Sequence, residues 1–208
     1  MANIIDLTYF QRANQLNIPL SQDAPISNVA MQTPNNQEAL QLLINNVEKS
    51  ILYNSLGTSV YNQLQNALID IDSYPDFKKL VQGEEYDGKV WEGLDSEDGL
   101  ISWRVYQVFC ENANTHLSAV GVAQIDIEKG NLISPIHKIA VSNQKFIKKY
   151  QSGYCFEPFV YGNFTDWVGT ESSVFVSLYQ YLNDKKDVLT DLKMENFKTY
   201  EIRNSFDL

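Results

Sequence analysis

The chain has 208 residues and a formal charge of −10, with 16 Lys and Arg set against 26 Asp and Glu. Tight binding to DNA or RNA is built on phosphate neutralisation, so an acidic chain with no basic run argues against that class. Such a chain can still lie beside DNA as a repelling wall. A hydrophobic content of 44% and an aromatic content of 12% support a real core and speak against wholesale disorder, and the length suits one domain with appended arms.

The first twenty residues, MANIIDLTYFQRANQLNIPL, show no basic region followed by an apolar core, so no signal peptide is expected. No apolar run approaches the roughly 18 residues of a membrane-spanning helix. Cys110 and Cys155 make no disulfide framework, which predicts folding in a reducing cytoplasm. The sequon Asn163-Phe164-Thr165 has no consequence without secretion.

Residues 1–35 hold Pro19, Pro25 and Pro34, many Asn and Gln, and the apolar group Ile4, Ile5, Leu7, Tyr9 and Phe10. A free tail has no use for Tyr9-Phe10, so this arm is expected to lie along a surface of its own domain or of a neighbour. A helix is predicted from Asn35 or Asn36, with the stripe Leu40, Leu43, Ile44, Val47, Ile51 and Leu56, stopped by Gly57. Thr58 caps a second helix that buries Val60, Tyr61, Leu64, Ala67, Leu68 and Ile71, so the two form a tight corner or hairpin. Ser73-Tyr74-Pro75 ends that unit, and Phe77–Val81 reads as no more than a short turn. Asp87-Gly88 between the flanks Glu84–Tyr86 and Lys89–Glu92 is a strong β-hairpin signal.

Asp95-Ser96-Glu97-Asp98-Gly99 places acids at the start of the most apolar helix, predicted over about 99–120. Leu100, Trp103, Tyr106, Cys110, Ala113, Leu117 and Val120 recur at helical spacing, and Val105, Val108 and Phe109 widen the stripe. Only Arg104, Gln107, Glu111 and Asn114 are left to face water. At about 1.5 Å per residue this rod of about 30 Å crosses a small domain, so it is read as the centre of a bundle. Val120–Ile127 alternates as a strand, Glu128–Asn131 turns, and Leu132-Ile133 pairs back. Ser134-Pro135 opens a helix that buries Ile136, Ile139, Ala140, Asn143, Phe146, Ile147 and Tyr150 and leaves Lys138, Lys145, Lys148 and Lys149 outside. Residues 151–169 are rich in aromatics and have little period. Thr170 is read as the cap of a last helix using Phe175, Leu178, Tyr179, Leu182, Val188 and Leu189. The end, Phe197–Leu208, alternates and suits an added strand or an extended arm. The fold expected is mainly α: a helical bundle with a β-hairpin insertion over residues 36–190, an N-terminal arm 1–35 and a C-terminal arm 191–208.

No chemistry emerges from this pattern. His116 and His137 belong to no zinc-spaced cluster, and Asp95–Gly99 lacks the ligand spacing of a calcium loop. Ser142-Asn143-Gln144-Lys145 fits Ser-x-x-Lys but lacks the partner motifs of the β-lactam enzymes, and no nucleophile elbow or phosphate loop is present. No catalytic residue, metal or cofactor is therefore expected, and an enzyme is the weaker class. A small cytoplasmic enzyme built on scattered carboxylates and a monomeric accessory protein are the alternatives. The aromatic stretch 154–167 reads equally as a core-covering loop or a partner surface. Three extended, apolar, sparsely charged pieces exceed what a monomer needs and point to an assembly. The expected contact residues are Tyr9, Phe10, Trp91, Tyr161, Phe164, Trp167, Tyr200, Ile202 and Phe206, with the apolar ends covered by other subunits.

Taken in order, several motifs are similar to head–tail connector (adaptor ring) proteins of tailed phages, particularly those of Bacteroides and crAss-like phages. They are Glu48–Gly57, then Val60-Tyr61-Asn62-Gln63-Leu64, the hairpin ending in Val90-Trp91-Glu92-Gly93-Leu94, and Gly99–Tyr106, followed by Gly121-Val122 and Ser134-Pro135. The resemblance spans about residues 38–150. Ser118-Ala119-Val120 departs from it where a Thr-containing turn is expected, and 151–169 has no counterpart in it. It implies a virion protein at the head–tail junction: a helical subunit repeated in a ring, usually twelve-fold. The ring would dock beneath the portal protein and meet a tail or second connector-ring protein, with DNA passing through its centre. Under that reading Glu84, Glu85, Asp87 and Glu92 suit a channel-facing, DNA-repelling lumen or a polar rim. Neither specific nucleic-acid binding nor membrane association is expected.

Overall fold

A computed structural model describes residues 3–11, 16, 18, 36–113, 115–118, 121–124, 135–151, 163–165 and 172–200. It is mainly helical, as the periodicity predicts. The first helix, α1 (Asn36–Ala67), is two helices joined at Gly57, whose φ of 71° and ψ of 172° lie outside the helical region. The stop and restart read from Leu56-Gly57-Thr58 are therefore a kink. Tyr53 and Tyr61 stack across it with ring centroids 4.2 Å apart. On its inner side α1 buries Leu40, Ile44, Ile51, Leu52 and Leu56, then Val60, Tyr61 and Leu64.

Residues expected to form only a turn make an eight-residue helix, α2 (Pro75–Gln82). Proline suits the first helical position because its missing N–H costs nothing there. Leu80 and Val81 are buried, which supplies the tertiary support a short helix needs. The predicted hairpin follows as β1 (Glu84–Tyr86) and β2 (Lys89–Trp91), with Glu84 opposite Trp91 and Tyr86 opposite Lys89. Asp87 and Gly88 take φ of 47° and 71°, as a two-residue turn between strands requires. The chain then passes so close to α2 that a Cβ on Gly93 would lie 2.5 Å from the Val81 carbonyl oxygen. Backbone bonds from Leu94 to Leu80 (3.3 Å) and from Asp95 to Val81 (3.0 Å) close this contact.

The central helix α3 (Leu100–Ala113) is shorter than expected. Its apolar period runs on to Val120, but Thr115-His116-Leu117-Ser118 are mostly weak helix formers. They form β3 (Thr115–Ser118), paired antiparallel with β4 (Gly121–Gln124). The Leu132-Ile133 stretch expected to pair there lies outside the described residues. Leu100, Trp103, Val105 and Tyr106 are buried as read, and Ile101 joins them. Gln107, expected to face water, is fully buried; it accepts from Arg104 Nη1 (2.8 Å) and donates to Glu111 (2.9 Å). Cys110 is a buried free thiol whose pKa is raised by burial.

The next helix, α4 (Pro135–Gln151), packs against α3 and buries Ile139, Asn143, Phe146, Ile147 and Tyr150. Two short strands, β5 (Asn163–Thr165) and β6 (Ser172–Val176), complete a four-stranded sheet of order β1-β2-β6-β5. β6 runs parallel to β2, with Val90 opposite Phe175, and antiparallel to β5. Residues 172–176, expected within the last helix, are therefore strand. The run Val174-Phe175-Val176 favours strand, and Ser177 caps α5 (Leu178–Asp184), its Oγ accepting from Gln180 N at 3.2 Å. A helical turn at Met194–Asn196 leads to residues 197–200.

The chain ends depart from expectation. Ile5, Phe10, Leu16 and Ile18 are at most 1% exposed and join the same core as α1 and α3. Residues 197–200 also lie on the body, Lys198 N donating to Asn54 O at 2.9 Å. In their described parts both arms lie against their own chain.

The Gly57 backbone conformation strains any L side chain although nothing crowds the position. Gly57→Ala should cost about 1–3 kcal/mol, read as a lower urea midpoint with an unchanged slope.

Candidate interaction surface

Three polar contact regions lie on this scaffold, and the sequence-predicted site residues fall among them. The first joins the hairpin to α5. Trp91, only 3% exposed, stacks on Tyr181 at 5.0 Å and donates its indole N–H to Leu80 O at 2.9 Å. It is a core residue and offers nothing to a partner, because β2 is an inner strand covered by α5. Glu84 beside it meets Lys185 at 2.7 Å, Lys79 at 3.5 Å and the Tyr181 hydroxyl at 3.0 Å. Burial pushes the Glu84 carboxyl up, but hydrogen bonds from Lys185 and Tyr181 and the charges of Lys185 and Lys79 outweigh it, so its pKa is lowered. Asp184 pairs with Lys89 at 2.6 Å and accepts from the Tyr86 hydroxyl at 3.0 Å. The Lys185 ammonium sits 4.3 Å from the Tyr86 ring centre. Burial and the neighbouring Asp184 and Glu84 raise the Tyr86 phenol.

Of the four acids assigned to a channel, Glu84 and Glu92 are matched within the chain, Glu92 by Lys149 at 2.5 Å. Glu85 and Asp87, at the hairpin tip, are exposed. A cleft of about 60 Å³ opens between α2, Glu84 and α5, lined by Asp76, Lys79, Glu84, Tyr181, Lys185, Val188 and Leu189. Within it Glu84 pairs with both Lys79 and Lys185, and these ion pairs fasten the hairpin.

The second region holds the N-terminal segment. Glu48 on α1, 3% exposed, accepts the amide N–H of Ile4 (3.0 and 3.1 Å to its two oxygens) and of Ile5 (3.3 Å). Asn3 adds a side-chain bond to Asn45. Burial raises the Glu48 pKa to about 7 against the lowering effect of the two amides. Tyr9 donates its hydroxyl to Asp95 O at 2.9 Å, and Phe10 is wholly buried. Both expected contact residues are thus used inside the chain: Phe10 fills the core, and Tyr9 ties the segment to the entry of α3.

The third region receives residues 197–200 between α1 and α4. Phe197 meets Tyr150 and Tyr179, and Tyr200 meets Phe146, Tyr150 and the Arg104 guanidinium. Gln151 bonds both the N–H and the carbonyl of Tyr200 (2.8 and 3.0 Å). Tyr200, predicted as a partner contact, is held here by its own chain. The β5 backbone includes Phe164; Tyr161, Trp167, Ile202 and Phe206 lie outside the described residues. Glu48, Asn54 and Gln151 were missed as functional positions. Each sits beside an apolar or aromatic residue (Val47, Tyr53, Tyr150), and that adjacency is their only sequence signal.

Among the described residues, no helix is long and apolar enough to cross a membrane, and no group of three or more His, Cys, Asp or Glu is placed to hold a metal. Large hydrophobics that stay exposed include Ile69, Val174, Phe175 and Val188.

Because the folded-state pKa of Glu48 is raised, its protonation favours folding. That contribution is complete below the ordinary carboxylate value of 4.5 and is lost as pH climbs to about 7. Glu48→Gln should therefore gain stability relative to the native chain as pH rises from 5 to 8, read as the difference in urea midpoints. The opposite sign is expected for Glu84, whose lowered pKa stabilises above the carboxylate range and is lost on acidification, so Lys185→Met should lose most near neutral pH and little at pH 3. No family model, curated protein or solved structure matches the chain.

Proposed function

We propose that this chain is a structural subunit of a ring at the head–tail junction of a tailed phage, set between the portal protein and a tail or second connector-ring protein and surrounding the DNA channel. The observation that carries an assembling role is the β3–β4 ribbon. It forms a two-stranded sheet of its own at the end of α3, hydrogen-bonded to no third strand among the described residues. An isolated two-stranded ribbon is marginal in water, so a covering surface from a neighbour stabilises it. Its open edges can also take a further strand. The connector identity rests on the order of motifs across residues 38–150.

Head-to-tail contacts in a closed ring need two unlike surfaces on each subunit. The ribbon supplies one. The hairpin tip, with Glu85 and Asp87 exposed, provides an acidic feature suited to a rim or to a lumen that repels phosphate. The apolar ends no longer support this reading, since their described parts are spent on the chain's own core. That same burial favours a second reading, a self-sufficient monomeric accessory protein.

Imaging of the purified chain, alone and mixed with its phage's portal protein, separates the two. Rings seated on the portal are expected, and a chain with residues 115–124 replaced by a short Gly-Ser linker should keep its helical circular dichroism while losing ring formation. A single-copy mass in both preparations would remove the connector reading and leave the monomer.

A further inference from the structure

The segment Phe197-Lys198-Thr199-Tyr200 is bound the way a peptide is bound. Its main chain supplies most of the polar recognition: Lys198 N–H donates to Asn54 O (2.9 Å), and Lys198 O accepts from the Tyr150 hydroxyl (3.0 Å). Tyr200 N–H donates to Gln151 Oε1 (2.8 Å), and Tyr200 O accepts from Gln151 Nε2 (3.0 Å). The Gln151 side-chain amide thus offers the donor and acceptor pair that a strand edge would offer to an added peptide.

Specificity comes from two aromatic side chains three residues apart. Phe197 packs against Tyr150 and Tyr179 with centroids 4.8 and 5.0 Å away. Tyr200 packs against Phe146 and Tyr150 at 5.0 and 5.1 Å, lies 5.1 Å from the Arg104 guanidinium, and accepts from Asn54 Nδ2 at 2.8 Å. The two residues between them, Lys198 and Thr199, face solvent. The contacts just named run between the body and these four residues; the connecting stretch 186–193 is largely exposed, with Leu189 its buried residue.

We infer that the groove between α1 and α4 is a peptide-reading site for an aromatic-x-x-aromatic segment, and that it accepts Phe197–Tyr200 from a second copy of the chain as well as from its own. The covalent link adds effective concentration, and the stretch before the segment holds α1 separately, Asp191 accepting from Ser59 and Gln63, so the four-residue contacts are distinct from it. A neighbour's segment therefore makes the same bonds, and exchange of an identical element is a low-cost route to joining copies. The occupant is fixed by fit: this chain's own sequence already satisfies both aromatic positions and all four main-chain bonds. The inference is independent of the connector reading, since it needs only two copies within reach.

The test uses a fluorescein-labelled peptide spanning residues 194–203 and fluorescence anisotropy. The full-length chain carrying Phe197→Ala and Tyr200→Ala, whose own segment is weakened, should bind the peptide at least about tenfold more tightly than the native chain does. Adding Gln151→Ala should abolish that binding. A double variant with native circular dichroism that ignores the peptide, or whose binding survives Gln151→Ala, would overturn the inference. Should the double variant fail to fold, the native chain is photolysed with the same peptide bearing benzoylphenylalanine at the Phe197 position. Cross-links to α1 or α4 that excess unlabelled peptide suppresses are expected, and their absence counts against the groove.

Discussion

Less than two turns of α1 receive both ends of the chain. Glu48 takes the amides of Ile4 and Ile5, and the carbonyl of Asn54 takes the amide of Lys198. Buried backbone groups must find partners, and an extended segment lying on a helix cannot find them within itself. Helix α1 supplies them from a carboxylate on one side and, on the other, from a backbone carbonyl beside the Gly57 kink. The hydrophobic surface beneath is then completed by Ile5 and Phe10 at one end of the sequence and by Phe197 and Tyr200 at the other. Neither terminal segment is an ornament on a finished bundle; each is part of its walls.

Polar side chains inside the body set where these pieces dock. Gln107 is held between Arg104 and Glu111 along α3, while Arg104 also spans the Phe146 and Tyr200 rings, so α3, α4 and the terminal segment share one contact. Gln151 fixes the position of Tyr200 through two bonds that a one-residue slip would break. Apolar packing tolerates many arrangements of similar volume, whereas a buried amide left unpaired costs about 1–3 kcal/mol. The same reasoning covers the hairpin, where Glu84 and Asp184 pair with Lys185 and Lys89 and both ammonium groups lie over the Tyr86 ring.

Much of the architecture was legible in the sequence because periodicity is a local signal. The two halves of α1, the Gly57 break, the Asp87-Gly88 turn and α4 from Pro135 all follow from spacing and capping. The end of α3 was not legible, because the apolar period continues through Leu117 and Val120 while the backbone leaves the helix for strand pairing. Pairing depends on a partner strand, which spacing within one segment does not reveal. Phe10 and Trp91, expected as contact residues, turn inward for a related reason. An aromatic side chain that closes a core and one that meets a partner have the same composition, so Phe10 and Trp91 read as interface and fold as interior. The acids near the hairpin were read as solvated or channel-facing because the lysine that matches Glu84 most closely lies about a hundred residues later in the chain, at Lys185.

Covering the ends in cis changes what an assembly of this chain has to use. Terminal arms that reach for a neighbour would leave Ile5, Phe10 and the α1–α4 groove bare in the free subunit, a large apolar loss for a body of this size. With the described ends folded back, an assembly of the kind proposed would draw on features outside the core: the edges of the β3–β4 ribbon, which pair with no third strand among the described residues, and the exposed hydrophobics Val174 and Phe175 on β6. In a free copy the chain's own Phe197–Tyr200 segment would compete for the groove at high effective concentration. Under the proposed exchange, holding copies close together would let the same four-residue segment pass from its own groove to a neighbour's while keeping the contacts it makes here.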